Sequence, residues 1–103
     1  MKSNLEMLAE ILPSVRAEIA KELVNAHKMN QSDVSRILGV SQPAVSQYVR
    51  QLRGRKAVYE NTIRIEIKSL AERLISGKAP VDLENELYNI CKAVMQSRAV
   101  TTN

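Results

Sequence analysis

The stretch QSDVSRILGVSQPAVSQYVR, residues 31–50, decides the fold of this chain because it has the pattern of two short helices joined by a tight turn. Val34 and Leu38 are four residues apart and therefore share one face of the first helix. Gly39 can adopt the positive φ that ends a helix and turns the chain. Asn30 is expected to cap the first helix, and Ser41 is a favourable N-cap for the second. The stretch therefore predicts a helix-turn-helix motif.

The second helix of the motif is predicted to cover residues 42–53 and to end at Gly54. Val45 and Tyr48 are expected to point back to the core. Pro43 lies in the first helical turn, where a proline costs no hydrogen bond. A helix whose outward face carries amide, hydroxyl and guanidinium groups can lie in a DNA major groove. That outward face is formed by Gln42, Pro43, Ser46, Gln47 and Arg50.

The motif resembles the helix-turn-helix of the phage Cro/repressor, or XRE-like, type. Gly39, the small residue Ser35 four positions before it and the surrounding apolar positions stand in the same register as in that family. Residues 12–29 also look like the helix that supports the motif in those proteins. The whole chain is similar to small archaeal predicted transcriptional regulators of this class. The resemblance implies a transcriptional regulator that binds double-stranded DNA, whereas a plain helical hairpin in another all-α domain is the structural alternative.

The charge distribution agrees with a phosphate-binding surface. The chain has 15 Lys and Arg, 11 Asp and Glu, and a net charge of +4. No acidic residue occurs from Ile37 to Tyr59, and the four basic residues in that interval equal the whole excess. A basic cluster on a neutral body is typical of nucleic-acid binding, although a merely solvated basic stretch is the alternative. The residues predicted to contact phosphates are Arg36, Arg50, Arg53, Arg55 and Lys56.

Outside the motif, the apolar spacing predicts an all-α fold of five to six helices. Ser3 and Glu6 fit a capping box at the first helix. Pro13 is predicted to close that helix and open a second one, which runs to about His27. Two more amphipathic helices follow, one from Tyr59 to Ser76 and one that starts near Pro80 and Asp82.

The single domain, residues 1–103, is predicted to have a DNA-binding core at 1–54 and two dimerisation helices at 55–103. The motif and its supporting helices are already enough to hold a recognition helix. Two further amphipathic helices therefore suggest a symmetric dimer interface. The alternative is that they only cap the N-terminal core. The predicted interface residues are Ile63, Ile65, Ile67, Leu70, Leu74, Leu87, Ile90 and Val94.

The sequence contains little that could support catalysis. It has one His and one Cys, no glycine-rich phosphate loop and no metal-ligand cluster, so we expect no enzyme activity, cofactor or metal. His27 is expected to cap a helix or be solvated. Cys91 lies on an apolar helix face and is expected to be buried, the alternative being a dimer contact or a metal shared between subunits. No signal peptide or membrane span is predicted, which favours a cytoplasmic, nucleoid-associated protein without a membrane partner.

These observations predict a sequence-specific transcriptional regulator that binds double-stranded DNA as a homodimer. Two recognition helices would enter successive major grooves about 34 Å apart. The predicted base contacts are Gln42, Ser46 and Gln47, with Pro43 touching a thymine methyl. Two other functions remain open, namely an architectural DNA-binding protein of low specificity and a protein-interaction adaptor or antitoxin-like module with the same fold.

Overall fold

The described part of the chain consists of helices and their connections, and the predicted all-α class with five helices is confirmed. The computed structural model describes residues 3–50, 57–78 and 80–101, and for residues 57–62 and 97–101 it describes the backbone alone. The helices are α1 (Asn4–Lys21), α2 (Gln31–Leu38), α3 (Gln42–Arg50), α4 (Ala57–Ser76) and α5 (Leu83–Thr101), and a π-helical turn (Glu22–Ala26) continues α1.

Three of the predicted helix starts are confirmed by hydrogen bonds. The N–H of Glu6 donates to Ser3 Oγ at 3.1 Å while the N–H of Ser3 donates to Glu6 Oε1 at 3.1 Å, which completes the capping box. Asp82 caps α5 by accepting from the N–H of Asn85 at 3.2 Å. Asn30 caps α2 in the same way. Such caps satisfy backbone donors that have no partner within the helix.

Pro13 does not end the first helix, and the prediction that it separates two helices is wrong. The chain remains α-helical from Asn4 to Lys21 with Pro13 inside. Proline removes the hydrogen bond to the carbonyl four residues earlier, which belongs to Ala9. Pro13 and Ala9 are both exposed, so water can solvate that carbonyl. Ile11 and Val15, on either side of Pro13, are buried in the core and hold the helix together across it.

One continuous core joins all five helices. The central helix is α1, since it packs against α2, α3, α4 and α5. The two C-terminal helices therefore share the core of the motif instead of forming a separate layer. The sixteen buried core residues are Ile11, Val15, Ile19, Ala20, Leu23, Val34, Leu38, Val45, Ile63, Ile67, Leu70, Ala71, Leu87, Ile90, Cys91 and Val94.

Most of the side chains predicted for the dimer interface lie in this core instead. Six of the eight predicted interface side chains are already buried within one chain, so they cannot also face a second copy. A seventh, Leu74, is half-buried and packs against the same cluster. Of the eight, Ile65 is the side chain that remains exposed, at 77%. The six buried side chains are Ile63, Ile67, Leu70, Leu87, Ile90 and Val94.

An ion pair links α4 to α5 on the surface. The Arg73 guanidinium donates to both carboxylate oxygens of Glu86 at 2.8 and 3.1 Å. These hydrogen bonds lower the pKa of Glu86 and raise the pKa of Arg73. Because the pKa of Glu86 is depressed in the folded chain, the stabilisation is present above the ordinary carboxyl pKa and is lost as the pH falls through the lowered value. The pair is exposed, so its effect on stability is small.

Candidate nucleic-acid interface

The turn between α2 and α3 has the geometry that the sequence predicted. Gly39 adopts φ +68° and ψ 34°, and the N–H of Val40 donates to the Ser35 carbonyl at 3.0 Å. Ser41 then caps α3, because its Oγ accepts from the N–H of Ala44 at 3.2 Å. At the other end of α2, the N–H of Asp33 donates to Asn30 Oδ1 at 2.8 Å. The turn is therefore held by a backbone hydrogen bond on the α2 side and by a side-chain cap on the α3 side.

The inner side of the motif is anchored in the common core. Val34 and Val45 are fully buried, and Leu38 is nearly so. Ser35 is also buried, and its hydroxyl donates to the Ser32 carbonyl at 2.7 Å, so this polar group is satisfied within its own helix. Tyr48 is half-buried and packs against the core. Because α3 also packs on α1, its orientation is set by the whole domain.

The outward side of α3 places the predicted base-contacting side chains together. Gln42, Pro43 and Gln47 are exposed, and Ser46 is half-buried. They recur at intervals of three and four residues, which puts them on one helical face. Arg50 is exposed one turn further along the same face. The face offers amide donors and acceptors, one hydroxyl and one cation, and α3 contains no acidic residue.

The predicted phosphate-contacting residues are only partly within the described ranges. Arg50 ends the described part of α3, whereas Arg53, Arg55 and Lys56 lie outside the described residues. Arg36 is exposed on α2 and forms an ion pair with Asp33 one turn earlier. A phosphate would therefore have to compete with the Asp33 carboxylate for this guanidinium.

Lys28 is an exposed cation beside the motif and is not among the predicted site residues. It lies in the connection before α2 with φ +59°, and the N–H of Met29 next to it donates to the Leu23 carbonyl at 3.1 Å. A non-glycine residue at positive φ is uncommon and was not predictable from the sequence. The signal that could have drawn attention to Lys28 is its position just before the Asn30 cap.

His27 and Cys91 have the structural roles expected of them. His27 Nε2 lies 3.9 Å from a Glu22 carboxylate oxygen at the end of the π-helical turn. Cys91 is fully buried in α5, and burial raises the pKa of its thiol. A buried thiol with a raised pKa is a weak nucleophile. Its burial also removes the alternative in which Cys91 meets a second subunit.

A groove lies between the start of α1 and α5. It has a volume of about 440 Å³, and Leu5, Leu8 and Met95 contribute to its apolar lining. At the edge of this groove, Lys92 lies over the ring of Tyr88, with Nζ 4.9 Å from the ring centre.

No group of three or more His, Cys, Asp or Glu side chains that could hold a metal is found within the described ranges. None of the helices described is both long and apolar enough to span a membrane.

Comparisons of the chain with protein-family models, with curated proteins and with solved structures found no significant match.

Proposed function

We propose that this chain is a DNA-binding transcriptional regulator of the Cro/repressor type, with α3 as the recognition helix in the major groove. The observation that carries the proposal is the exposed polar face of α3, held at the end of a tight turn by the common core. A major groove accommodates one α-helix, and base edges there are read by side chains of this kind. The protein would act as a homodimer on double-stranded DNA at the nucleoid.

The roles of the side chains follow from their chemistry. Gln42 and Gln47 would form bidentate hydrogen bonds with adenine, and Ser46 would hydrogen-bond a neighbouring base edge. Pro43 offers an apolar surface for a thymine methyl group. Arg50 would contact a phosphate and fix the position of the helix along the groove. Arg36 would do the same from α2, and Arg53, Arg55 and Lys56 remain predicted phosphate contacts.

Selection of bound sequences from a random pool of duplex DNA tests this proposal. We expect one enriched sequence, bound at least about a thousand times more tightly than random DNA at physiological salt. Enrichment of no sequence, with binding that depends only on salt, would favour an architectural protein. Absence of DNA binding at low salt would contradict both DNA-binding functions and leave the protein-interaction adaptor.

Replacing Gln42 or Gln47 by Ala is expected to reduce sequence discrimination more than general DNA affinity. The loss should be about 1–3 kcal/mol against the preferred base, because a bidentate amide contact is removed. Competition binding with single-base variants of the selected site measures it. Gln96→Ala is the matched control, because Gln96 is exposed on α5. Equal weakening on every DNA sequence would mean that the two glutamines do not read bases.

Replacing Arg50 by Ala is expected to weaken binding to all DNA sequences alike. Each lost phosphate contact should reduce the slope of log affinity against log salt by about one unit. Arg64→Ala, an exposed arginine on α4, is the matched control and should leave the slope unchanged. A slope that is the same in the Arg50 variant and the parent would place the phosphate contacts on other residues.

A further inference from the structure

The exposed side of α4 carries a row of four side chains whose spacing is that of a helix–helix contact. Ile65, Lys68, Glu72 and Ile75, here called the α4 row, follow one another at intervals of three, four and three residues. All four are exposed, Ile65 at 77% and Ile75 at 41%. Intervals of three and four residues are those of the a and d positions of a coiled coil. The row lies opposite the face of α4 that enters the core.

The core explains why the α4 row is not needed inside the chain. Ile63, Ile67 and Leu70 already bury the inner face of α4 against α1, α5 and the π-helical turn. A helix that buries one face normally carries polar residues on the other. Two isoleucines on the outer face depart from that rule. Contact with another surface would remove these two side chains from water.

The order of the four side chains identifies that surface. Read from either end, the α4 row is isoleucine, charge, charge, isoleucine, and the two charges have opposite sign. When two copies pack antiparallel about a two-fold axis midway between Lys68 and Glu72, each Ile65 faces the other copy's Ile75. Each Lys68 then faces the other copy's Glu72. The row is therefore complementary to itself, which a two-fold dimer requires.

We propose that the α4 row is the contact surface for a second copy of this chain, packed antiparallel with two Ile65–Ile75 contacts and two Lys68–Glu72 ion pairs. The flanking Ser69 and Ser76 are exposed and short, so they permit close approach of the two helices. In a parallel pair, lysine would face lysine and glutamate would face glutamate, so charge favours the antiparallel arrangement. This inference rests on the proposed function, in which two recognition helices enter successive major grooves and therefore require a dimer.

The size of the contact predicts a weak dimer. From Ile65 to Ile75 the row covers eleven residues, and its ends are ten residue steps, or about 15 Å of helix, apart. One such helix face buries less surface than the ~1,200 Å² at the lower end of stable protein interfaces. We therefore expect a concentration-dependent monomer–dimer equilibrium that DNA with two half-sites shifts towards the dimer.

Charge reversal tests the pairing in sedimentation equilibrium without DNA. K68E and E72K should each weaken dimerisation about tenfold or more, because both ion pairs become like-charge contacts. The double variant K68E/E72K should return to within about threefold of the parent, since the ion pairs are re-formed in the opposite sense. A mixture of the two single variants should also dimerise. Lys68 and Glu72 are both exposed, so their substitution should leave the fold intact. Thermal melting of each variant checks this.

Cysteine cross-linking tests the antiparallel register. A disulfide needs Cα atoms about 4.4–6.8 Å apart. The double variant I65C/I75C should form a covalent dimer under mild oxidation, whereas I65C and I75C alone should not, because equal positions lie far apart along an antiparallel pair. The parent chain is the control for Cys91, which is buried.

Three results would overturn the proposal. The first is a parent chain that sediments as a monomer at concentrations up to about 1 mM. The second is a single reversal that dimerises like the parent, and the third is cross-linking of I65C alone. A dimer disrupted by Leu5→Ser but not by K68E would place the contact at the groove between α1 and α5. The proposed DNA binding is judged separately, because a monomeric variant should still bind a single half-site.

Discussion

A chain that ends at residue 54 is expected to be unfolded and to bind no DNA. Eight of the sixteen described core residues lie beyond that point. Without them, Ile11, Val15 and the neighbouring apolar side chains of α1 would be exposed to water. Loss of a single buried leucine side chain costs about 2–5 kcal/mol, and a domain is stable by only about 5–15 kcal/mol. The loss of half the core should therefore exceed the total stability of the domain.

Circular dichroism and denaturant unfolding of this truncated chain measure the effect. A cooperative transition with the helix content expected for α1, α2 and α3 would contradict the prediction and would mean that the motif folds by itself. That outcome is what the sequence alone led us to expect, since the motif and its supporting helix looked sufficient.

A matched pair of leucine substitutions tests the same point without removing chain. Leu70→Ala, at a fully buried position on α4, is expected to cost about 2–5 kcal/mol in the free energy of unfolding. Leu5→Ala, at a position that is 77% exposed on α1, is expected to stay within about 0.5 kcal/mol of the parent. Equal stability of the two variants would mean that α4 does not share the core.

Gly39→Val is expected to destabilise the protein by about 2 kcal/mol and to reduce DNA binding further than the lost stability explains. The residue has φ +68°, which an L-amino acid with a branched side chain resists strongly. A Cβ at this position would meet no atom within 4 Å, so the cost comes from the backbone and not from a clash. Gly39→Asn should be milder because asparagine tolerates this conformation better.

The chain provides a matched control for this substitution at the end of α4. Gly77 has φ +63° and equally open space for a Cβ, so Gly77→Val should cost a similar free energy. It lies between α4 and α5, outside the motif, and the folded fraction of this variant should bind DNA like the parent. Urea denaturation followed by DNA titration under folding conditions separates the two effects. A Gly39→Val variant that melts and binds like the parent would disprove the role of the turn.

The sequence by itself determined the local features, because each depends on residues only three or four positions apart. The caps at Ser3, Asn30 and Ser41, and the turn at Gly39, follow from side-chain hydrogen bonds and backbone angles that a short segment decides. The helical period likewise predicted that Gln42 and Gln47 share the outer face of α3.

The tertiary structure decided which apolar faces meet. The sequence shows that α4 and α5 are amphipathic, but an apolar stripe reads the same whether it covers a core or a second subunit. The contacts of α4 with α1 and α5 showed that the stripe of Ile63, Ile67 and Leu70 belongs to the core. Once that stripe is assigned to the core, Ile65 and Ile75 stand out as exposed apolar side chains on the other face of α4.

Pro13 and the Arg73–Glu86 pair depend on tertiary structure for the same reason. A proline ends an isolated helix, but core packing at Ile11 and Val15 outweighs the lost hydrogen bond here. Arg73 and Glu86 are thirteen residues apart, and no local pattern pairs them before α4 and α5 are packed together. Local chemistry therefore determined the helices and the turn, while the burial of apolar surface between distant segments decided how they are arranged.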